Sequence, residues 1–331
     1  MPYALSDSAM RFADELAERE NLPRPWVRDA IGQALFNPDV QRLMRPAASS
    51  FAKNWALYRS RFIEPVRIRA AVRFWRAHRA TLARAQGEYG VPPEIVVGIL
   101  GIETLYGRHM GNFRVLDALA TLTFDFPPEH PDYATRQSYF AGELGSFLNL
   151  CRAGGLPPGQ PRGSYAGAMG MPQFMPSSWL RYAVDYDGDG RIDLAGSPAD
   201  AIGSVANFLQ GHGWNPDLPA THYPVRLAPD ADLPALRAPD IVPTFTPTEL
   251  AARGATPLEG GPQHPGLLAL IELQNGDPAQ PGSAPPTYLA GTQNFYVITR
   301  YNHSAYYAIA VIELGQTAAA IVAHDRKLQT K

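Results

Sequence analysis

Apolar and polar positions along most of this chain recur with the period of a helix rather than that of a strand. In "RFADELAEREN", Phe12, Leu16 and Ala17 share one face, and "PRPWVRDAIGQALFN" begins behind prolines, where a helix tolerates them. "RIRAAVRFWRAHRATLARAQGEYG" reads as one long helix that stops at Gly90. Pro92 and Pro93 open the next helix, which carries Glu103 and is expected to close at Gly107; a further helix is expected from about Asp132 to Leu150. The pattern changes between Asn215 and about Gly291. There prolines interrupt short strand-like runs, "YPVRLAP", "LLALIEL" and "PTYLAG", with one short helix at "TPTELAARG". Helical periodicity resumes in "NFYVITRYNHSAYYAIAVIELGQTAAAIVAH" and is strongest in its second half. No internal repeat is visible. The expected fold class is mainly α (α+β). An N-terminal helical domain covers 1–85, a helical core is assembled from 86–214 and 292–331, and a small antiparallel β-rich insertion occupies 215–291.

Composition narrows the function classes. The chain has 331 residues, 45% apolar and 18% charged, which permits a sizeable buried core and argues against disorder. A net charge of -2 gives no electrostatic case for nucleic acid, and the arginines of 59–84 fall at spacings that suit a solvated helix face. Cys151 is the single cysteine, so neither an internal disulfide nor a cysteine-based zinc site can form. A lone cysteine reads as a small buried hydrophobe, or as a nucleophile if a histidine is poised beside it. No uninterrupted apolar run reaches the roughly 18–20 residues that cross a bilayer. The N-terminal "MPYALSDSAMRFADELAERE" has no signal-peptide character, which leaves a cytoplasmic protein or one whose leader is not in this chain.

The chemistry begins in "VVGILGIETLYGRHMG", where an aliphatic run ends in one glutamate, Glu103. Apolar residues surround most of this helix, so it is expected to be buried on most sides. Gly98 and Gly101 cost a helix about 1 kcal/mol each relative to alanine, so another backbone or a ligand is expected to come close. Glu103 falls in the last turn, near the negative end of the helix dipole. Burial and dipole both disfavour its charged form, the condition of a general acid at neutral pH. The alternative reading is a structural ion pair with Arg108 or Arg114.

In "GSYAGAMGMPQFMPSSW" small residues imply tight turns with room for a ligand. Ser164, Gln173, Ser177 and Ser178 offer neutral hydrogen-bonding groups, while Met169, Met171, Phe174, Met175 and Trp179 offer apolar surface. A groove of this makeup suits the polar edges and apolar faces of a sugar. A glycine-rich loop running into a helix with its methionines in the core explains the string equally well. "RYNHSAYY" adds the Asn302 amide and the Tyr301, Tyr306 and Tyr307 rings, although alternation in a strand would also account for some of these tyrosines.

"DYDGDGRIDLAGSPAD" puts Asp185, Asp187 and Asp189 at the first, third and fifth positions of an EF-hand-like loop, with Gly190 at the sixth and the Arg191 carbonyl available. Such closely spaced acids repel one another without a cation. Gly196 stands where the bidentate glutamate should be, so the loop must run on to Asp200 to close. Calcium or another hard cation, in a structural role, is the expected occupant, and a solvated acidic turn is the alternative.

These blocks, taken together from Trp55 to Gln316, resemble the membrane-bound lytic transglycosylase B family. The resemblance implies a lysozyme-like helical catalytic core and cleavage of peptidoglycan between N-acetylmuramic acid and N-acetylglucosamine, leaving 1,6-anhydro-muramic acid ends. By position it implies that Glu103 is the single catalytic acid/base, and that Tyr58, Ser164, Gln173, Tyr301, Asn302 and Tyr307 bind substrate. It also implies that Asp185, Asp187, Asp189, Arg191 and Asp200 hold the metal, with no organic cofactor. The implied partners are glycan strands and complexes of cell-wall enzymes, in the periplasm or at the outer membrane. Two departures stand out. Phe208 occupies a place where a groove tyrosine is expected, and the metal loop is a residue long with an aspartate at its third position. A hydrolytic muramidase and a non-catalytic, calcium-dependent glycan-binding protein are the competing readings.

Overall fold

The computed structural model describes residues 2–46, 54–277, 280 and 282–329. Packing divides the chain into two units, Met1–Ser49 with Glu103–Ser204, and Ser50–Ile102 with Val205–Lys331. Of the three passages of the chain between the units, two lie inside helices, Pro93–Thr104 and Pro198–Gly211.

The first unit is built around the helix Val115–Phe124, in which every residue from Val115 to Thr123 is buried. Helices Asp7–Arg19, Arg24–Gly32 and Tyr133–Ala153 contribute Leu16, Ile31, Leu144 and Phe147 to the same core. Each such side chain removed from water stabilises the fold by about 1.5–3 kcal/mol. The Ser6 hydroxyl accepts the Ala9 N–H and starts the first of these helices. Cys151 is 1% exposed in this core, and burial pushes its thiol up to about 12; it is an inert hydrophobe. Two short strands, β1 (Phe113–Arg114) and β2 (Arg162–Gly163), pair antiparallel.

In the second unit four strands form an antiparallel sheet: β3 (His222–Leu227), β4 (Ala255–Pro257), β5 (Ala269–Leu273) and β6 (Thr287–Gly291), in the order β4-β3-β6-β5. β3, β5 and β6 arise from the proline-interrupted runs noted above, whereas β4 lies in none of them; the short helix in "TPTELAARG" is Pro247–Ala252. Leu268, Leu270, Tyr223, Leu236 and Leu250 make a small core of their own beneath this sheet. The remaining helices of the unit include Trp55–Phe62, Pro65–Ala77, Arg79–Tyr89, Gln293–Thr299 and Ala305–Gln329. "RYNHSAYY" therefore joins two helices, and strand alternation does not explain its tyrosines.

The expected single helix ending at Gly90 is two. It breaks at His78, which lies outside helical geometry (φ -116°, ψ 24°) and caps the C-terminus of one helix while leading into the next. Neither proline nor glycine marks the spot, so periodicity continues across the break. Gly90 does end the second piece, with φ 70°.

Gly98 answers the question its sequence raised: a backbone comes close. A Cβ built there would lie 2.2 Å from the Val311 carbonyl oxygen on the Ala305–Gln329 helix. The same helix, which polar residues such as Glu313 and Gln316 interrupt, is the most apolar long one. Among the described residues, Ala305–Asp325 is long and apolar enough to cross a membrane by length and composition, with mean hydropathy 1.4. It is 61% buried inside the protein, and its Glu313 and Asp325 pair with Arg59 and Arg76, as befits a core helix with one wet side.

Candidate active site

Glu103 is half-buried one residue from the end of its helix, behind Ile95, Val96, Ile99 and Leu100, all 3% exposed or less. The helix closes at Thr104, three residues before the expected stop. Leu105 and Tyr106 then adopt left-handed backbone with φ of 50° and 58°, followed by Gly107 at 86°. Left-handed geometry costs a side-chain-bearing residue about 1–2 kcal/mol, so the surroundings must impose this turn. Thr104 supplies part of the reason. Its buried hydroxyl donates to the Met171 carbonyl at 2.8 Å and accepts the Gly107 N–H at 2.9 Å. One hydroxyl thus ties the end of the acid's helix to the glycine-rich loop.

The structural ion pair considered for Arg114 is made elsewhere. Its guanidinium lies 3.5 Å from Asp117 and donates to the Gln33 carbonyl. Three other acids of the same unit have structural duties: Asp117 accepts the Leu35 N–H, Asp125 accepts the Tyr3 hydroxyl, and Glu143 accepts both the N–H and the hydroxyl of Ser177.

Within the loop, Ser164 Oγ accepts the N–H groups of Ala166 and Ala168, at 3.2 and 3.1 Å. Both lone pairs being engaged, its O–H proton is what it can offer a ligand. Gln173 is the complementary case. It is held left-handed at φ 52°, and its amide nitrogen donates to the carbonyls of Met110 (3.1 Å) and Gly170 (3.0 Å). The amide oxygen, an acceptor, is therefore the group Gln173 can present. Glu103, Ser164 and Gln173 belong to the first unit.

The second unit carries Tyr58, Tyr301, Asn302 and Tyr307. Tyr301 and Tyr307 stack with centroids 6.4 Å apart and planes 13° from parallel. Phe208 packs 4.8 Å from Tyr301 and 4.0 Å from His212, and at 6% exposure it serves as a wall. Tyr307 is 2% exposed, whereas Asn302 is open to solvent and Tyr58 half so. Tyr58 meets Tyr306 edge-on at 6.0 Å.

The acidic loop brings together Asp185, Asp187 and Asp200, whose carboxylate oxygens lie within 4.8 Å of one another. Asp189 is not in that group; it accepts the Arg191 N–H at 2.8 Å, with its carboxylate 4.0 Å from the exposed guanidinium. Asp200 is 1% exposed and accepts the N–H groups of Tyr186 and Asp193 at 2.7 and 2.8 Å. Gly190 stands at φ 90°, which a glycine at the sixth position permits. Three converging carboxylates at oxygen-ligand spacing fit a hard divalent cation. The Ser197 hydroxyl, donating to Asp187 at 2.6 Å, holds that carboxyl below the usual range. Sequence reasoning missed Ser197 and Asp193, which secure the loop through its backbone, and Thr104, whose only signal is a hydroxyl at a helix end.

Residues 5–316 match the family model described as the transglycosylase SLT domain. The chain belongs to this transglycosylase family. The transglycosylase is 40% identical, over 326 residues, to membrane-bound lytic murein transglycosylase B of Escherichia coli strain K12, covering 96% of this chain and 84% of that one. Among solved structures, it superposes on the Escherichia coli lytic transglycosylase Slt35 in complex with calcium with a TM-score of 0.80, at 39% identity, covering 97% and 95% of the two chains. SltB3 of Pseudomonas aeruginosa, in complex with NAG-anhNAM-pentapeptide, gives a TM-score of 0.76 at 29% identity, covering 95% of this chain and 80% of that one. The lysozyme-like, mainly helical fold expected from the sequence is thus the observed one.

Replacing Thr104 by valine keeps its shape and removes the tie between the transglycosylase's acid helix and loop. Leaving the Met171 carbonyl without its donor costs about 1–3 kcal/mol. Turnover is expected to fall about tenfold or more, since small misplacements of a reacting group carry such penalties. Thr104→Ser is expected to restore most of it. Steady-state kinetics on sacculi with melting curves for both variants check this; equal activity of valine and serine variants would contradict the tie.

Proposed function

We propose that Glu103 is the single acid/base of this peptidoglycan lytic transglycosylase. Ordinary glycosidases divide the work between two carboxylates. Here Asp117, Asp125 and Glu143 already serve the fold, which is the observation that most supports one acid acting alone. Glu103 donates its proton to the glycosidic oxygen between N-acetylmuramic acid and N-acetylglucosamine as the bond to C1 breaks. The 2-acetamido carbonyl supports the developing cation. The C6 hydroxyl of the same muramic acid then attacks C1 and returns its proton to Glu103, closing the 1,6-anhydro ring without consuming water. An intramolecular nucleophile gains from proximity what a second carboxylate would otherwise supply. Ser164 offers its O–H to the acetamido group, Gln173 offers an acceptor oxygen to a protonated carboxyl or sugar hydroxyl, and Asn302, Tyr58 and Tyr301 line the sugar path, the buried Tyr307 bracing Tyr301 by stacking on it. The natural strands carry peptide stems and lie in the periplasm, where the protein works.

Incubation with purified sacculi separates this reading from a non-catalytic glycan-binding protein. Soluble muropeptides are expected to be released; retention on sacculi with nothing released would overturn this reading.

Asp185, Asp187 and Asp200, with Asp189 and the Arg191 carbonyl as further donors, hold calcium in a structural role. A cation at a hundredfold excess over its dissociation constant stabilises the folded state by about 2.7 kcal/mol. Calcium is expected to raise the melting temperature by several degrees, and Asp200→Asn to abolish the rise. A wild-type protein indifferent to millimolar calcium would contradict this assignment.

A further inference from the structure

Tyr306 is the tyrosine of "RYNHSAYY" to which the proposed chemistry gives no part. It is 7% exposed, and its hydroxyl accepts the Gln274 N–H at 2.8 Å. Gln274 follows β5, and its carbonyl in turn accepts the Trp55 N–H at 2.7 Å. Trp55 opens the helix Trp55–Phe62, which carries Tyr58. A second tie lies beside the first: the Asn54 side chain accepts the Leu57 N–H at 2.7 Å and donates to the Gly276 carbonyl. The segment after β5 is itself held. The Gln274 side-chain amide donates to Glu272, whose carboxylate also receives the Tyr288 hydroxyl at 3.0 Å and lies 3.3 Å from Arg237.

The helix needs such ties. It has eight residues, fewer than the roughly 12–15 at which a helix becomes even marginally stable alone in water, and it buries Trp55. Its packing runs to the same partner as its hydrogen bonds. The Tyr306 ring meets Trp55 at 6.2 Å and Tyr58 at 6.0 Å, both edge-on. Two turns further along the helix of Tyr306, Glu313 pairs with Arg59 at 2.5 Å. Tyr306 thus reaches the Tyr58 helix by two routes, ring against ring and hydroxyl through Gln274 to Trp55.

We infer that Tyr306 is a positioning residue for Tyr58, fixing where that ring stands and so setting the affinity for the glycan strand. The inference rests on the reading given above, in which Tyr58 lines the sugar path. A ring that contacts a sugar contributes to binding only in one place, and a short, half-exposed helix does not hold it there unaided. The conserved bulk of the ring and the hydroxyl have separable parts: the ring backs Tyr58 directly, and the hydroxyl acts through the backbone.

The test is a double-mutant cycle with soluble glycan strands as substrate. Tyr306→Phe keeps the ring and removes the hydroxyl. It is expected to raise KM about fivefold, the scale of one hydrogen bond, with kcat within twofold of wild type. Tyr306→Leu, which loses the ring as well, is expected to raise KM further. In a Tyr58→Ala background, itself with a raised KM, Tyr306→Phe is expected to add nothing. A merely structural tyrosine would lower the melting temperature and the active fraction, and so kcat, with KM unmoved; that result overturns the inference. So does a rise in KM of equal size with and without Tyr58. A Tyr58→Ala variant with wild-type KM would instead sink the sugar-path reading, and this inference with it. Calorimetric titration of the strands into the Glu103→Gln protein, with and without Tyr306→Phe, reads the same fivefold without cleavage, so a failure of the catalytic reading leaves this test standing.

Discussion

Glu103→Gln is expected to lower turnover on sacculi about a thousandfold or more, while binding to glycan strands stays within a few-fold of wild type. Glutamine keeps the size and the hydrogen-bonding capacity of the acid but cannot hand a proton to a leaving oxygen. Proton transfer by a positioned group contributes about 10²–10⁴ in rate. Here one residue serves both as acid and as base, so the loss should lie at the upper end. Melting curves of the variant matter as much as its kinetics, because a half-buried residue one position from a helix end should tolerate an isosteric change. Activity within tenfold of wild type would move the chemistry to another residue.

The second large effect concerns stability. Gly98→Ala would place a methyl carbon 2.2 Å from the Val311 carbonyl oxygen, far inside contact distance, and both groups belong to helices that cannot give way separately. Overfilling a packed interior costs about 1–3 kcal/mol when side chains can adjust, and more when backbone must move. A loss of about 3 kcal/mol or more corresponds to a melting temperature lowered by roughly 4 °C or more. Catalysis should suffer as well, because Gly98 is on the helix that carries Glu103. A melting temperature within about 2 °C of wild type would show that the two helices are not held at this distance.

Both predictions concern a helix whose character was legible in the sequence. Its apolar residues surround the cylinder and its glycines stand out against them, so burial and a close neighbour could be expected. The identity of that neighbour could not, because Val311 is more than two hundred residues away. The end of the helix was misread for a related reason. Gly107 is the conventional stop, yet the buried Thr104 hydroxyl pins the chain to Met171 and forces Leu105 and Tyr106 into left-handed backbone first. The break at His78 left no trace in composition. The acidic loop was the most legible site, since spacing alone brings Asp185, Asp187 and Asp200 together. Ser197 and Asp193 stayed hidden because they act on the loop through hydrogen bonds that no motif encodes. Arg237 and Glu272 lie far apart in the sequence, and only the folding of β5 against the short helix Leu233–Arg237 makes them neighbours.

The account stands on an attack at C1 by the substrate's own hydroxyl after a single carboxylic acid has given up its proton. Digestion of sacculi in water enriched in oxygen-18, with mass analysis of the released muropeptides, reads this directly. The expected products are 1,6-anhydro-muramic ends containing no label. Reducing-end muramic acid carrying one labelled oxygen would mean that water is the nucleophile, and would contradict it.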